Sequence, residues 1–229
     1  MFPESVSRAE LLRRLAALVS GRAANGSLRV AIDGPDAAGK TTLADDLADT
    51  LRRSGASVLR ASIDGFHHPA SLRHRRSESN PTLSYFEDSF DYPAVRRLLL
   101  DPLGPSGNHR IRTRVFDHRS DQPIHESPHT APEDSVLLFD GVFLLRPELA
   151  ECWDLSIYLS VDPAVTLERA LTRDLSLFGT RAKTEQRYRA RYLPGQAHYL
   201  SSVDPEQHTD VFIGNNDPAS PTILRFPSM

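Results

Sequence analysis

An α/β fold with a mostly parallel central sheet and helices on both faces is predicted by three observations. Short apolar runs alternate with amphipathic stretches along most of the 229 residues, the pattern that crossover helices and parallel strands produce. The octapeptide Gly34-Pro35-Asp36-Ala37-Ala38-Gly39-Lys40-Thr41 fits G-x-x-x-x-G-K-[ST] without a mismatch. That octapeptide also has the context it needs. The apolar run Leu28–Ile32 precedes it as a buried strand, and Thr42–Leu51 follows with leucines at helical spacing.

A glycine-rich turn between a strand and a helix aims successive backbone N–H groups at a polyphosphate, and the helix N-terminus adds partial positive charge there. In this pattern the lysine reaches the β- and γ-phosphates and the hydroxyl ligates Mg²⁺. The nucleotide-holding set is therefore Gly34, Asp36, Ala37, Ala38, Gly39, Lys40, Thr41 and Thr42. The expected ligands are ATP and Mg²⁺ in a phosphate-loop NTPase fold. One domain is expected over residues 1–229, with an N-terminal helix over 5–20 and a basic lid over about 175–191.

Composition narrows the class. With 39% hydrophobic residues the chain can bury a sizeable core, and a net charge of −3 gives no basic footprint for nucleic acid. The single cysteine, Cys152, cannot close an internal disulfide and points to a reducing compartment. No basic segment followed by an apolar run opens the chain, and no stretch approaches the ~18 apolar residues of a membrane span. The expectation is a cytoplasmic protein acting on a small molecule, without nucleic acid or membrane partners; self-association stays open.

Taken in order, Ser7 and Glu10 read as a capping box opening the first helix, which ends between Gly21 and Gly26. Ser57–Ile63 reads as the second strand and ends in Asp64-Gly65-Phe66-His67-His68, where ligands bind in open α/β sheets. Asp64 is equally well a turn former before Gly65. His67 and His68 lack a third ligand at metal spacing, which favours the substrate pocket or the surface. Leu72–Ser84, with Arg73, Arg75 and Arg76, reads as a solvated loop or an anion-facing flap. Tyr85–Tyr92 mixes aromatics and acids suited to stacking and hydroxyl recognition; Asp91 and Pro93 also mark a helix start. His109–Phe116 alternates like a half-exposed strand, followed by a loop and the linker Pro123–Glu133.

Ser135–Phe139 is a continuous apolar run ending in Asp140, the place for a second carboxylate on the Mg²⁺ side. Trp153–Val161 is another strand, and Asp162-Pro163 opens a helix carrying Arg169 and Arg173. Six cations then fall between Arg173 and Arg191. They form either a solvated face or a basic flap that closes over the γ-phosphate. The last strands are Thr209–Gly214 and Thr222–Phe226, separated by an Asn215–Pro218 turn placed to lie near a nucleotide base.

The order of these segments resembles the uridine kinase and phosphoribulokinase group of phosphate-loop kinases. The matching pieces are the phosphate loop, Ser62–Phe66, Asp88-Ser89-Phe90-Asp91, Phe116-Asp117, Phe139–Val142, Arg169 to Asp174, and Thr209–Ile213. By that resemblance Asp64 accepts the proton of the substrate hydroxyl as it attacks the γ-phosphate. Lys40 holds the phosphates, Thr41 and Asp140 hold Mg²⁺, and Arg169 and Arg173 cover the transferring group. The acceptor side comprises Asp64, Phe66, His67, Tyr85, Phe90, Phe116 and His118. There are departures. Tyr85 stands where uridine kinases carry a ribose-binding aspartate, Phe116 replaces their tyrosine, and Asp140 replaces a glutamate. Their base-reading histidine also lies further along than His118.

The expectation is an ATP-dependent kinase with uridine or cytidine as first acceptor. The alternative is a kinase of the same build for a sugar, sugar phosphate or pantothenate-like acceptor. A regulatory phosphate-loop NTPase is disfavoured, because the Asn-Lys-x-Asp base-reading motif of a GTPase switch does not occur.

Overall fold

Seven strands build one sheet in the computed structural model, which describes residues 3–23 and 26–228. They are β1 (Glu4–Ser5), β2 (Leu28–Asp33), β3 (Val58–Ser62), β4 (Val136–Asp140), β5 (Leu155–Ser160), β6 (Val211–Gly214) and β7 (Thr222–Arg225). Their order across the sheet is β1-β7-β6-β5-β2-β4-β3. The five from β6 to β3 run parallel, and β7 and β1 close one edge antiparallel. The expected mostly parallel α/β architecture is present.

β2 and β4 are buried at every position, which is why both read as mainly apolar runs, broken in β2 only by Arg29, and not as alternating ones. Alternate β2 residues still serve opposite faces. Val30 and Ile32 pack with Leu11 and Leu15 of α1 (Arg8–Arg22) and Leu43 and Leu47 of α2 (Lys40–Arg53). Ala31 faces the other core, with Phe139, Phe143 and Tyr199. Ser7 caps α1 by accepting from the Glu10 N–H at 3.2 Å, but the Glu10 carboxylate turns to Arg13 and Arg14, so half of the expected capping box forms. The turn expected between Gly21 and Gly26 includes Ala24 and Asn25, which lie outside the described residues.

Two expectations need correction. The stretch 72–84 is not a loop throughout. It contains a helical turn, Ala70–Arg73, and the start of α3 (Pro81–Asp88), which Asn80 caps through the Leu83 N–H at 3.0 Å. The alternating 109–116 stretch is not one strand either. Only Arg110–Ile111 and Phe116–Asp117 pair, each in a two-residue ribbon, with His129–Thr130 and Gln122–Pro123. Between them the Arg112 and Val115 N–H groups bond the carbonyls of Leu98 and Gly65, so no neighbouring strand claims them.

The lid leaves the sheet through α4 (Pro163–Arg173), a turn at Leu175–Phe178, α5 (Arg181–Arg187), a π-type turn over Tyr188–Tyr192, and α6 (Leu193–Val203). Leu167, Ala170, Leu171 and Tyr188 form a small apolar cluster there, apart from the two sheet cores.

Candidate active site

β2 delivers Asp33 at the mouth of the phosphate loop, and α2 begins at Lys40 immediately after it. Two glycines are required by this geometry. A Cβ on Gly34 would sit 2.4 Å from the Leu159 carbonyl oxygen, and Gly39 holds the helix N-cap at φ 88, a left-handed conformation. The Lys40 ammonium donates to the Pro35 carbonyl at 2.6 Å, inside its own loop. Burial lowers its pKa against the opposing pull of Asp36, Asp33 and Asp140.

The Thr41 hydroxyl donates to Asp140 at 2.7 Å. This contact joins the first turn of α2 to the end of β4, and its hydroxyl and carboxylate are the hard oxygen donors that suit Mg²⁺. The other Asp140 oxygen accepts from Arg60 at 2.9 Å, while Arg60 also donates to the Leu138 carbonyl at 2.7 Å and to Asp45 at 2.9 Å. Sheet register explains the reach. Arg60 lies opposite Leu138, so Asp140, two residues further on, presents its side chain on the same face.

Asp64 stands on a single 3₁₀ turn, Ile63–Phe66, which continues β3 and is capped by the Ser62 hydroxyl. Its side chain is 63% exposed, and one oxygen lies 3.4 Å from His67 Nε2. His67 Nδ1 lies 3.0 Å from the Ser89 carbonyl. A carbonyl can only accept, so Nδ1 carries a hydrogen and Nε2 is the atom turned to Asp64. The His67 ring sits 4.5 Å from Phe90 and 4.8 Å from His118. Crowding in the cleft pushes the Asp64 carboxyl up, but the hydrogen bond and charge of His67, with His118 and Lys40, hold it below the usual range. Asp64, His67 and His118 therefore form one wall, while Phe90, 3% exposed, packs behind the His67 ring and does not meet the cleft as expected.

With this geometry in view, the comparisons with known proteins are direct. The sequence matches the phosphoribulokinase / uridine kinase family over residues 30–215. The chain belongs to that family. Its members are phosphotransferases with hydroxyl acceptors. The pantothenate kinase of Brucella ovis is 26% identical over 176 residues, covering 71% of this chain and 53% of that protein. The chain thus spans about half the length of the curated relatives it matches. A solved kinase from Silicibacter sp. TM1040, provisionally assigned to fructose transport, is 26% identical at a TM-score of 0.65, covering 82% of this chain and 94% of that one. A possible uridine kinase from Bacillus stearothermophilus shares the fold at a TM-score of 0.67 and 24% identity, covering 89% and 98%.

Not every family-derived expectation lands on the cleft surface. Phe66 is fully buried against Phe139, and Phe116 is 7% exposed, so both pack the wall from behind instead of meeting an acceptor. Tyr85, 5% exposed, donates its hydroxyl to Asp36 of the phosphate loop at 2.7 Å and is turned away from the acceptor wall. Arg169 meets the phosphate loop through the loop's backbone. It donates to the carbonyls of Ala37, Asn215 and Asn216, tying the turn after β6 to the loop. Arg173, one helical turn on, pairs with Asp174 and donates to the Tyr188 hydroxyl at 3.1 Å.

Two further groups were not foreseen. Arg60 is one; its signal is a lone cation inside an otherwise apolar strand, two positions out of step with an acid-ended neighbour. Asp33 is the other. Fully buried, it accepts from the N–H groups of Gly34, Leu144 and Leu145 and from the Tyr199 hydroxyl, fixing where the loop starts. Burial pushes its carboxyl up to about 6, against those hydrogen bonds. No local pattern announces a partner 166 residues away.

Proposed function

We propose that the protein is an ATP-dependent kinase that transfers the γ-phosphoryl group to a hydroxyl of a small metabolite. The observation that carries this reading is an exposed, ionised Asp64 on the turn that follows β3, one strand removed from the phosphate-loop strand β2, oriented by His67. Phosphoryl transfer needs chiefly positioning and charge neutralisation, with a carboxylate orienting the nucleophile. Asp64 takes the acceptor's proton. Lys40 and the loop N–H groups hold the phosphates, and Arg173 approaches them from the lid. Thr41 and Asp140 would hold Mg²⁺, which when bound neutralises charge on the triphosphate.

A nucleoside acceptor, the first expectation, is the weaker option, because the Tyr85 hydroxyl is committed to Asp36. A sugar, sugar phosphate or pantothenate-like acceptor is favoured, in keeping with the pantothenate kinase relative. A cytoplasmic setting fits this substrate range, and no helix among the described residues is long and apolar enough to cross a membrane.

The test is an ADP-release screen with saturating Mg·ATP across nucleosides, pentoses, their phosphates and pantothenate. A rate that rises sharply with one hydroxyl compound, yielding its phosphate ester, is expected. A basal rate indifferent to every acceptor would refute the kinase reading and favour a nucleotide switch.

A further inference from the structure

Apart from Arg169, which bonds only backbone carbonyls, the cations of the lid divide into two sets. Arg173, Arg181 and Arg189 each pair with a carboxylate, on Asp174, Glu168 and Glu185. Across from them Arg73, Arg75 and Arg76 are likewise paired, with Asp121, Asp88 and Glu87 among their partners. Lys183, Arg187 and Arg191 form no ion pair among the described residues, and they recur at every fourth position, which places them on one stripe of the lid helix.

That stripe lines an open cavity of about 660 Å³ between the lid and α3, flanked by Leu177 and Phe178 of the lid and faced by His74 and Pro81, with no carboxylate among its lining residues. A run of charge on a helix is ordinarily solvated, but Arg191 is only 7% exposed. Its guanidinium donates to the Ser84 hydroxyl at 3.2 Å and the Arg73 carbonyl at 3.4 Å and lies over the Tyr85 ring; all three partners are neutral. A guanidinium withdrawn from water without a counter-charge is costly, and burial together with the Arg187 charge lowers its pKa. An anion in the cavity would supply what is missing.

One residue links the cavity to the acceptor wall: Arg73, whose carbonyl accepts from Arg191. The Arg73 side chain donates to the carbonyls of His68 and His118, whose segments carry the rings beside Asp64. Beneath Arg191, Tyr85 reaches the phosphate loop through Asp36.

We propose that Lys183, Arg187 and Arg191 bind an anionic group of the acceptor, a phosphate monoester or a carboxylate, so that the substrate hydroxyl is presented to Asp64 from an acidic metabolite. This rests on the kinase reading above. The apolar Leu177, Phe178 and Pro81 beside the cations accommodate the carbon skeleton.

The test keeps the two readings apart. The full chain is first titrated with Mg·AMP-PNP; failure to bind it counts against the kinase reading. Inorganic phosphate is then titrated into the nucleotide-loaded protein. Millimolar binding is expected, weakened at least tenfold by Lys183→Gln and by Arg187→Gln, with AMP-PNP affinity within twofold of wild type. Both side chains are exposed, so neither variant endangers folding. Absent phosphate binding, binding unchanged in both variants, or a parallel loss of AMP-PNP affinity overturns the inference. Matched acceptors give the second readout: glycerate against glycerol and ribose 5-phosphate against ribose, followed by ADP release. The charged members are expected to turn over, with acceptor KM raised at least tenfold in the variants. A neutral member used as well as its charged partner overturns the assignment to the acceptor.

Discussion

The two sides of the cleft are held by different physics. On the phosphate-loop side, each group is fixed by a specific partner: Thr41 by Asp140, Asp140 by Arg60 of β3, and Asp33 by the Gly34 N–H and by the Tyr199 hydroxyl reaching in from α6. These residues sit on or beside strands whose side chains have no room to move. On the lid side, the elements are one to three turns long, rest on a small cluster of their own, and are held mainly by ion pairs at the surface. Exposed pairs of that kind contribute little, roughly 0–1 kcal/mol each. The loop side is thus preorganised, as a constant phosphate ligand requires, while the proposed lid side is held more loosely, as a variable acceptor would allow.

Variants on the two sides should therefore fail differently. Lys40→Ala should have the largest effect, lowering kcat/KM for ATP by on the order of 10³-fold or more in steady-state assays, since charge is removed where it develops. Arg60→Gln should act next. It leaves Asp140 without its second partner, and the Mg²⁺ concentration for half-maximal rate should rise by about 10–100-fold. An unchanged Mg²⁺ requirement would separate Arg60 from the metal side.

His67→Gln tests the junction of the two sides. Asp64 must be ionised to accept a proton, and His67 helps hold its pKa below the usual value. The acid limb of the pH–rate profile should then move to higher pH in the variant, with only a several-fold loss near neutrality. A limb that stays in place would detach His67 from Asp64.

A separate effect, read in stability and not in rate, concerns Asp33. Burial raises the Asp33 carboxyl from 3.8 to about 6. Stability linked to its protonated form is complete below pH 3.8 and is lost as pH rises through about 6. The shift corresponds to on the order of 3 kcal/mol. Urea unfolding at pH 4 and pH 7 should show wild type losing stability relative to Asp33→Asn across that interval. A constant difference would remove Asp33 from the pH response.

The loop side was legible in the sequence because its determinants are local. Glycine spacing, a lysine and a hydroxyl at fixed offsets, and acids closing apolar runs are consequences of strand–turn–helix geometry. Asp64, Asp140, Lys40 and Thr41 are brought to one cleft, and the central strands were placed within two residues; β5 and β6 each start two residues late, β6 because Thr209 and Asp210 turn their side chains to Ser156. What depended on tertiary contacts was not legible. Phe66 and Phe116 read as acceptor contacts because aromatic residues beside acids look alike whether they face a cleft or a core. Tyr85 and Arg169 carry plausible chemistry for the expected roles, but their partners lie 46 residues and more away in sequence. The unpaired stripe of Lys183, Arg187 and Arg191 emerged only when each neighbouring cation could be matched to its carboxylate.

The most direct measurement of the central claim pairs Asp64→Asn with wild type in two assays on the same preparation: calorimetric titration with Mg·ATP, and acceptor-dependent ADP release. The account predicts nucleotide affinity within about threefold of wild type and turnover lower by on the order of 10³-fold, because the variant keeps the cradle and loses only the group that orients the hydroxyl. Near wild-type turnover, or nucleotide binding lost together with it, would contradict the account.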